Sequence, residues 1–437
     1  MKKLLVALVL NLFFGSLVLA EWPEFRGPTG QGIAENANIP LSWDENRRIT
    51  WKTEIPGRGY SSPVVLGNQI WLTTAVESPA TEEQIKEQFE KSGLDEEKFT
   101  RRQVAGNVSL RAVCVDRKSG RMLKNIELFN INSPDAIHTG NSYASCTPVI
   151  ESGRLYCHFG ANGTACVDPF GGKVLWERKV LVNFSVGAGS SPVIYKDLIV
   201  LVCDGIDQQF VTALNKHTGE TVWRVDRPPI RIEDGQRRKA YSTPLIVHCD
   251  GRDQLVIPGA QWVVSYEPET GKEIWRVDHG DGFSNVPRPV CGHGMVYICT
   301  GFGHPQLWAI RVDGKGDVTS THVVWKQKSQ IPTKPSPVLV DDLLFIIGDT
   351  GIASCFDAIS GKPHWKERIG GNHSASPLYA CGRVYFFSHE GAISVVKASD
   401  KFSQLATSHL EGQIMASPAV LGSALILRSD SKLYRIE

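Results

Sequence analysis

Residues 191–223 read SPVIYKDLIVLVCDGIDQQFVTALNKHTGETVW. Pro192-Val193-Ile194 is a short apolar strand, and Tyr195-Lys196-Asp197 is a turn. Leu198 to Cys203 make a second strand, Asp204 to Asp207 a loop, and Phe210 to Leu214 a third strand. Asn215-Lys216-His217-Thr218-Gly219 then turns the chain into a fourth strand, which carries Trp223. Short β-branched and aromatic runs parted by Gly, Asp and Asn turns are what a four-stranded antiparallel meander requires. The glycine that ends the last turn suits a left-handed residue, a conformation that only Gly enters at little cost.

This unit recurs. Its opening step appears as Ser62-Pro63, Thr147-Pro148, Ser191-Pro192, Thr243-Pro244, Arg288-Pro289, Ser336-Pro337, Ser376-Pro377 and Ser417-Pro418. Successive prolines lie 85, 44, 52, 45, 48, 40 and 41 residues apart. A period of about 40–50 residues with several short strands per unit is the signature of propeller blades. Trp176, Trp223, Trp275 and Trp365 each stand four residues past a turn glycine, and Trp325 takes the role in the fifth unit. At that spacing they read as wedges between neighbouring blades. Lys124 and Leu405 stand near the same position in the first and seventh units.

The last unit supplies three strands before Glu437. Ile49 to Glu54, with Trp51 at the docking position, is predicted to add the fourth and so remove the open sheet edges. The expected fold is therefore all-β: an eight-bladed β-propeller of four-stranded antiparallel blades, closed by an N-terminal strand joining the C-terminal blade. The boundaries are residues 1–20 as a signal peptide, 21–48 as a lead-in segment and 49–437 as the propeller. The leader is read from Met1-Lys2-Lys3, the apolar run that follows and the small residue Ala20 before Glu21. The 85-residue gap marks an insertion over about 76–108 in the first blade. There Thr81-Glu82-Glu83-Gln84 is a capping box, and Ile85, Phe89 and Leu94 form a partial helical stripe.

Without Lys2 and Lys3 the formal charge is −1, which argues against a nucleic-acid partner drawn in by bulk electrostatics. No stretch after the leader is long enough to span a bilayer. The chain is expected to be exported to the periplasm or secreted, as a monomer. Of the ten cysteines, Cys114, Cys166 and Cys355 share one strand slot, where a small buried residue suffices. Cys157 and Cys166 are expected to face each other across a four-residue loop, either as packed thiols or as a bridge.

The Ala/Cys-x-Asp-x-x-Thr/Ser-Gly-x-x-x-Trp repeat resembles that of the pyrroloquinoline-quinone (PQQ)-type propeller proteins. These include the quinoprotein dehydrogenases and the non-catalytic barrel-assembly lipoprotein BamB. The lead-in Glu21-Trp22-Pro23-Glu24-Phe25-Arg26-Gly27-Pro28 is similar to the opening of exported bacterial proteins of that kind. The resemblance implies the fold over Trp22 to Glu437 and leaves activity open. A dehydrogenase would imply PQQ with Ca²⁺ and a pair of adjacent cysteines, and no Cys-Cys step occurs in the sequence. The calcium ligands of those enzymes have no matching segment. The preferred reading is a non-catalytic binding or scaffold protein for an envelope or secreted protein, or for a small polar or carbohydrate ligand. The alternative is a periplasmic PQQ-dependent alcohol or sugar oxidoreductase.

In such a ring, the loops leading into each first strand gather around the channel with those joining the second and third strands. They offer Tyr60, Asn141, Tyr143, Tyr241, Asn285, Arg288, Lys334 and His373 as ligand-binding candidates for a funnel. No catalytic residue is assigned and no metal site is expected, since neither a His-x-His nor a His-x-x-x-His step occurs.

Overall fold

The computed structural model describes residues 20–437. The expected leader lies outside them except for Ala20. Eight antiparallel sheets follow one another along the chain, each with four strands of the repeat. The blade of residues 191–226 has strands Val193–Tyr195, Leu198–Asp204, Gln209–Asn215 and Thr221–Asp226, paired in that order. The eighth blade is completed by Ile49–Glu54, which pairs antiparallel with Lys432–Ile436 from Ile49 opposite Ile436 to Glu54 opposite Lys432.

The Ser/Thr-Pro step has a direct structural use. Proline lacks an N–H, so it is tolerated at the start of the innermost strand, which is a sheet edge, and it keeps the preceding residue extended. That preceding residue links blades. The Ser62 N–H donates to Thr147 Oγ1 (3.0 Å), Thr147 N–H to Ser191 Oγ (2.9 Å) and Ser191 N–H to Thr243 Oγ1 (3.0 Å). Across the ring, Arg288 N–H donates to Ser336 Oγ (2.9 Å), Ser336 N–H to Ser376 Oγ (3.0 Å) and Ser376 N–H to Ser417 Oγ (2.9 Å). Two arcs of four blades result. At one gap Arg288, which has no hydroxyl, reaches back with Nε to Pro244 O (2.9 Å). At the other, Arg428 of the eighth blade donates Nη1 to Ser61 Oγ and Thr73 O of the first, both at 2.8 Å.

On the outer side, docking tryptophans stand directly across from the small-residue slot, with Cys166 opposite Trp176, Ala213 opposite Trp223 and Cys355 opposite Trp365, whereas Trp51 stands opposite Arg435. The indole N–H then donates to a turn of the next blade, as in Trp176 to Lys216 O (3.0 Å), Trp223 to Pro268 O (3.1 Å), Trp325 to Ala358 O (2.9 Å) and Trp365 to Ser399 O (3.0 Å). Trp51 does the same across the closure, to Arg117 O (3.1 Å). The ring lies on the turn glycine: a Cβ on Gly219 would sit 2.7 Å from the Trp176 indole. Trp275 differs. The longer turn of the fifth blade sends Gly316–Asp317 to pair beside it, and its Nε1 bonds Gln254 Oε1 inside its own blade (2.8 Å).

Three local expectations need correction. Cys157 pairs with Ala165 and Cys166 with Tyr156, so the two thiols point to opposite faces of the blade. The loop between the strands holds five residues, Phe159 to Gly163, which shifts the register by one. All ten cysteines are free. In the seventh blade a bulge puts Ala406, not Leu405, opposite the slot residue Val395. The insertion is also shorter than 76–108, because strands Gln69–Pro79 and Ala105–Asp116 run on as a paired hairpin. Between them lie helix α1 (Glu82–Ser92), with its Thr81/Gln84 capping box, and the short helix α2 (Glu96–Phe99).

The belt predicts unequal serines. Ser191→Ala strips an acceptor from the buried Thr147 N–H and should lower unfolding free energy by about 1–3 kcal/mol. Ser62→Ala, whose buried hydroxyl has no partner, should be near neutral. Urea denaturation of the two variants checks this. Acid should also destabilise the ring. Burial holds the imidazoles of His158 and His279 at about 4. Unfolded histidine titrates at about 6.5, so the unfolded chain binds more protons between those values. Stability is then full above about pH 6.5 and falls as pH drops toward 4, by up to about 1.4 kcal/mol per pH unit for each histidine. Urea midpoints at pH 7 and 4.5 should show the loss, and His158→Gln should reduce it.

Candidate functional site

The lead-in loops and the second-to-third-strand loops share one face. The Tyr60 N–H bonds Ala144 O, Tyr241 N–H bonds Asn285 O, Ile206 N–H bonds Asn183 O and His389 N–H bonds Asn372 O. Most of the eight sequence candidates are consumed in holding this face together. Tyr143 Oη donates to Asp135 O (2.9 Å) and Tyr241 Oη to Phe184 O (2.7 Å). The Asn141 amide donates to Val186 O and Ala188 O, and Asn285 Nδ2 donates to Cys299 O (3.3 Å). His373 is buried, with its ring nitrogens 2.8 and 3.0 Å from Phe387 O and Gly370 O. These side chains satisfy backbone groups. Tyr60, half-buried and bonded through Oη to Arg58, and Lys334, which forms no ion pair among the described residues, remain at the mouth.

Arg288 has a different fate, because the lead-in segment threads the hub. Ala20–Trp22 pairs antiparallel with the innermost strand of the first blade, and Ile33–Ala34 pairs parallel with that of the seventh. Between them Pro23 O accepts from Ile150 N–H (2.8 Å), Gln31 Oε1 from Cys291 N–H (2.7 Å), and Arg26 Nη2 donates to Pro337 O (2.6 Å). Arg288, 1% exposed, donates Nη1 to Phe25 O (2.5 Å), and its Nη2 lies 3.3 Å from the Glu24 carboxylate. Burial raises the Glu24 carboxyl, against the pull of Arg288; burial and then Arg288 push the Arg26 guanidinium down to about 9. The motif carries its own fit: a Cβ on Gly30 would fall 2.4 Å from Arg288 Nη1, and one on Gly32 2.7 Å from Arg26 Nη2.

What the sequence did not single out is a group of cations beside the mouth. Arg102–Gln103 pairs with Ile137–His138 in a two-stranded ribbon that sets Arg102 opposite His138. Lys239, from the connection between the third and fourth blades, is 6% exposed. Burial lowers the His138 imidazole, followed in effect by the positive charges of Arg102, Arg101, Lys239 and Lys334. Burial, and then Lys334, likewise lowers His389, whose Nε2 lies 2.7 Å from Ser374 Oγ. His304 is exposed.

This donor set tests the quinoprotein expectation. Ca²⁺ takes six to eight oxygen ligands, carboxylates prominent among them. Ammonium and guanidinium groups repel a divalent cation and attract anions, and a neutral imidazole offers nitrogen where Ca²⁺ takes oxygen. Among the described residues no three His, Cys, Asp or Glu side chains are grouped to hold a metal. The residues at the mouth do not fit a calcium–PQQ centre.

Residues 111–257 and 259–401, more than half of the chain, match the family described as outer membrane protein assembly factor BamB. The chain belongs to that family. A curated relative, subunit 1 of the cytochrome c methanol dehydrogenase of Methylorubrum extorquens, is 28% identical over 157 residues, covering 30% of this chain and 22% of the relative. The chain thus matches less than a quarter of that relative's length. Among solved structures, a europium-containing methanol dehydrogenase aligns with a TM-score of 0.65 at 13% identity, covering 94% of this chain and 90% of the other. BamB from Moraxella catarrhalis aligns with a TM-score of 0.52 at 14% identity, covering 77% and 94%. At such identities the likeness is one of fold. Among the described residues no helix is long and apolar enough to cross a membrane.

The threaded hub is testable by Gly32→Ala, which forces a methyl group against Arg26 and Pro377 O at a residue with φ +75°. Overpacking of this kind costs about 1–3 kcal/mol. Limited proteolysis should release fragments from residues 21–48 in the variant before the ring unfolds by circular dichroism, and leave the parent intact.

Proposed function

We propose that the chain is an exported, non-catalytic binding propeller that presents its mouth to an envelope protein or a small polar ligand. The observation that carries this reading is the contrast between hub and mouth. In the hub, Arg288 is bonded to the chain's own lead-in. At the mouth, the charges of Arg102, Lys239 and Lys334 act together on His138, and none of the four is paired to a carboxylate among the described residues. Such a surface attracts acidic or anionic groups.

The chemistry for catalysis has no equivalent support. Burial raises the thiols of Cys114 and Cys146 to about 12, so neither supplies a thiolate at neutral pH. His389 Nε2 bonds Ser374 Oγ (2.7 Å), but among the described residues no carboxylate is bonded to its other ring nitrogen to orient it as a general base. Export is supported by the basic-apolar-small order of Met1 to Ala20.

The likeness to methanol dehydrogenases supports the alternative, a PQQ-dependent oxidoreductase, and one titration separates the two. Purified protein is mixed with PQQ and Ca²⁺ and followed by absorbance, thermal shift and dye reduction with alcohols and sugars. Neither a saturable quinone spectrum nor turnover is expected. Dye reduction dependent on PQQ would overturn the non-catalytic reading.

A further inference from the structure

The geometry points to a binding site for an oxyanion group, a phosphate or clustered carboxylates, where the insertion of the first blade meets the loops of the second to fourth. This rests on the binding reading above and names the chemistry of what is bound. Two cations meet there through neutral groups only. Arg102 Nη1 and Nη2 donate to Ser185 O (3.0 Å) and Ser185 Oγ (3.2 Å). Ser185 Oγ lies 2.9 Å from Gln236 Oε1, which also accepts from Lys239 Nζ (2.5 Å). Neither Arg102 nor Lys239 has a carboxylate partner among the described residues, although Lys239 is 6% exposed. Burying a charge is costly unless it is paired, so such an ammonium calls for an anion.

The space is matched to a small group. A cleft of about 60 Å³ is lined by Arg102, Ser185, Gln236, Asn183, Lys91 and Asp135, and Lys239 stands behind this lining, bonded to Gln236. Asp135 is already held by Lys91 at 2.5 Å, which leaves the Arg102 end with its excess of positive charge. Asp234 caps the Gln236 N–H (2.9 Å) and is the acid that acts on Lys239, against burial and Arg102, which together bring that ammonium down to about 8. Pockets for cofactor-sized ligands run to several hundred Å³, so the cleft suits one oxyanion group rather than a ring system. His138, opposite Arg102 on the ribbon, adds a third cation when protonated.

The test uses the full mature chain at fixed ionic strength, with sulfate, inorganic phosphate and citrate as probes and NaCl as the control, read by calorimetry and thermal shift. At least one probe should bind saturably, and Arg102→Gln and Lys239→Met should each weaken it about tenfold, since hydrogen bonds to charged groups carry that much. Sulfate keeps its charge throughout, so its binding should weaken above about pH 8 as Lys239 loses its proton, and Lys239→Met should abolish that dependence. Preference for sulfate and phosphate would assign a phosphate group; preference for citrate would assign carboxylates. No saturable binding beyond NaCl, or equal binding by parent and both folded variants, would overturn the site. PQQ-dependent turnover would overturn the non-catalytic reading while leaving this titration standing, so the two failures are distinct.

Discussion

One hydrogen bond, repeated, ties the ring together: a backbone N–H before the first strand of one blade, given to a hydroxyl at the same place in the next. Its position explains the residue types on either side. The acceptor must be a short hydroxyl held extended, hence Ser or Thr before Pro; the strand it opens is innermost, so proline's missing donor costs nothing there. Because the donor is buried, an absent acceptor leaves the N–H unsatisfied, which makes the spacing between blades a constraint rather than a preference. The tryptophans do the corresponding work outside. All but Trp275 span to the neighbouring turn with one N–H bond, and Trp51, Trp176, Trp223 and Trp325 also lie on a turn glycine, so inner and outer radii are set by the same blade-to-blade step.

The two places where the hydroxyl belt stops are both occupied by buried arginines, and they divide the ring into equal arcs. Arg428 bridges the seam where the chain's first and last blades meet, a place no short hydroxyl spans. Arg288 interrupts the belt within the chain and, freed from it, holds Glu24 and the Phe25 carbonyl of the lead-in. A buried guanidinium is costly unless bonded, which gives the segment around Glu24 to Gly32 a reason to stay in the hub. The closure is thus made twice over, by a strand at the rim and by a threaded segment at the centre.

The repeating features were legible because they recur: eight openings and six docking tryptophans fixed blade number, strand order and the closing strand at Trp51. Misreadings came where one residue of loop or bulge decides the register, as at Cys157 and at Leu405. The site was far less legible. Tyr143, Tyr241 and Asn141 stood out as variable loop residues, yet variable loops also need backbone acceptors satisfied, and that is their use. Arg288 was visible as the one opening without a hydroxyl, but its partner Phe25 lies 263 residues away in sequence. Arg102 and Lys239 gave no signal, since each is an ordinary basic residue until the fold buries the one and sets the other beside it.

The overall balance of charge conceals this local asymmetry. With 47 basic and 46 acidic residues the chain exerts no bulk pull on polyanions. Many acids are spent in pairs at the rim and in turns, as with Asp168 and Asp357 at the start of their hairpins, while Arg102 of the insertion and Lys239 of a connection have no carboxylate partner among the described residues. Departures from the repeat therefore do two kinds of work. Where the repeat loses a hydroxyl, an arginine recruits the lead-in and seals the hub. Where it gains an insertion, the ribbon of Arg102–Gln103 and Ile137–His138 sets a charge beside an imidazole.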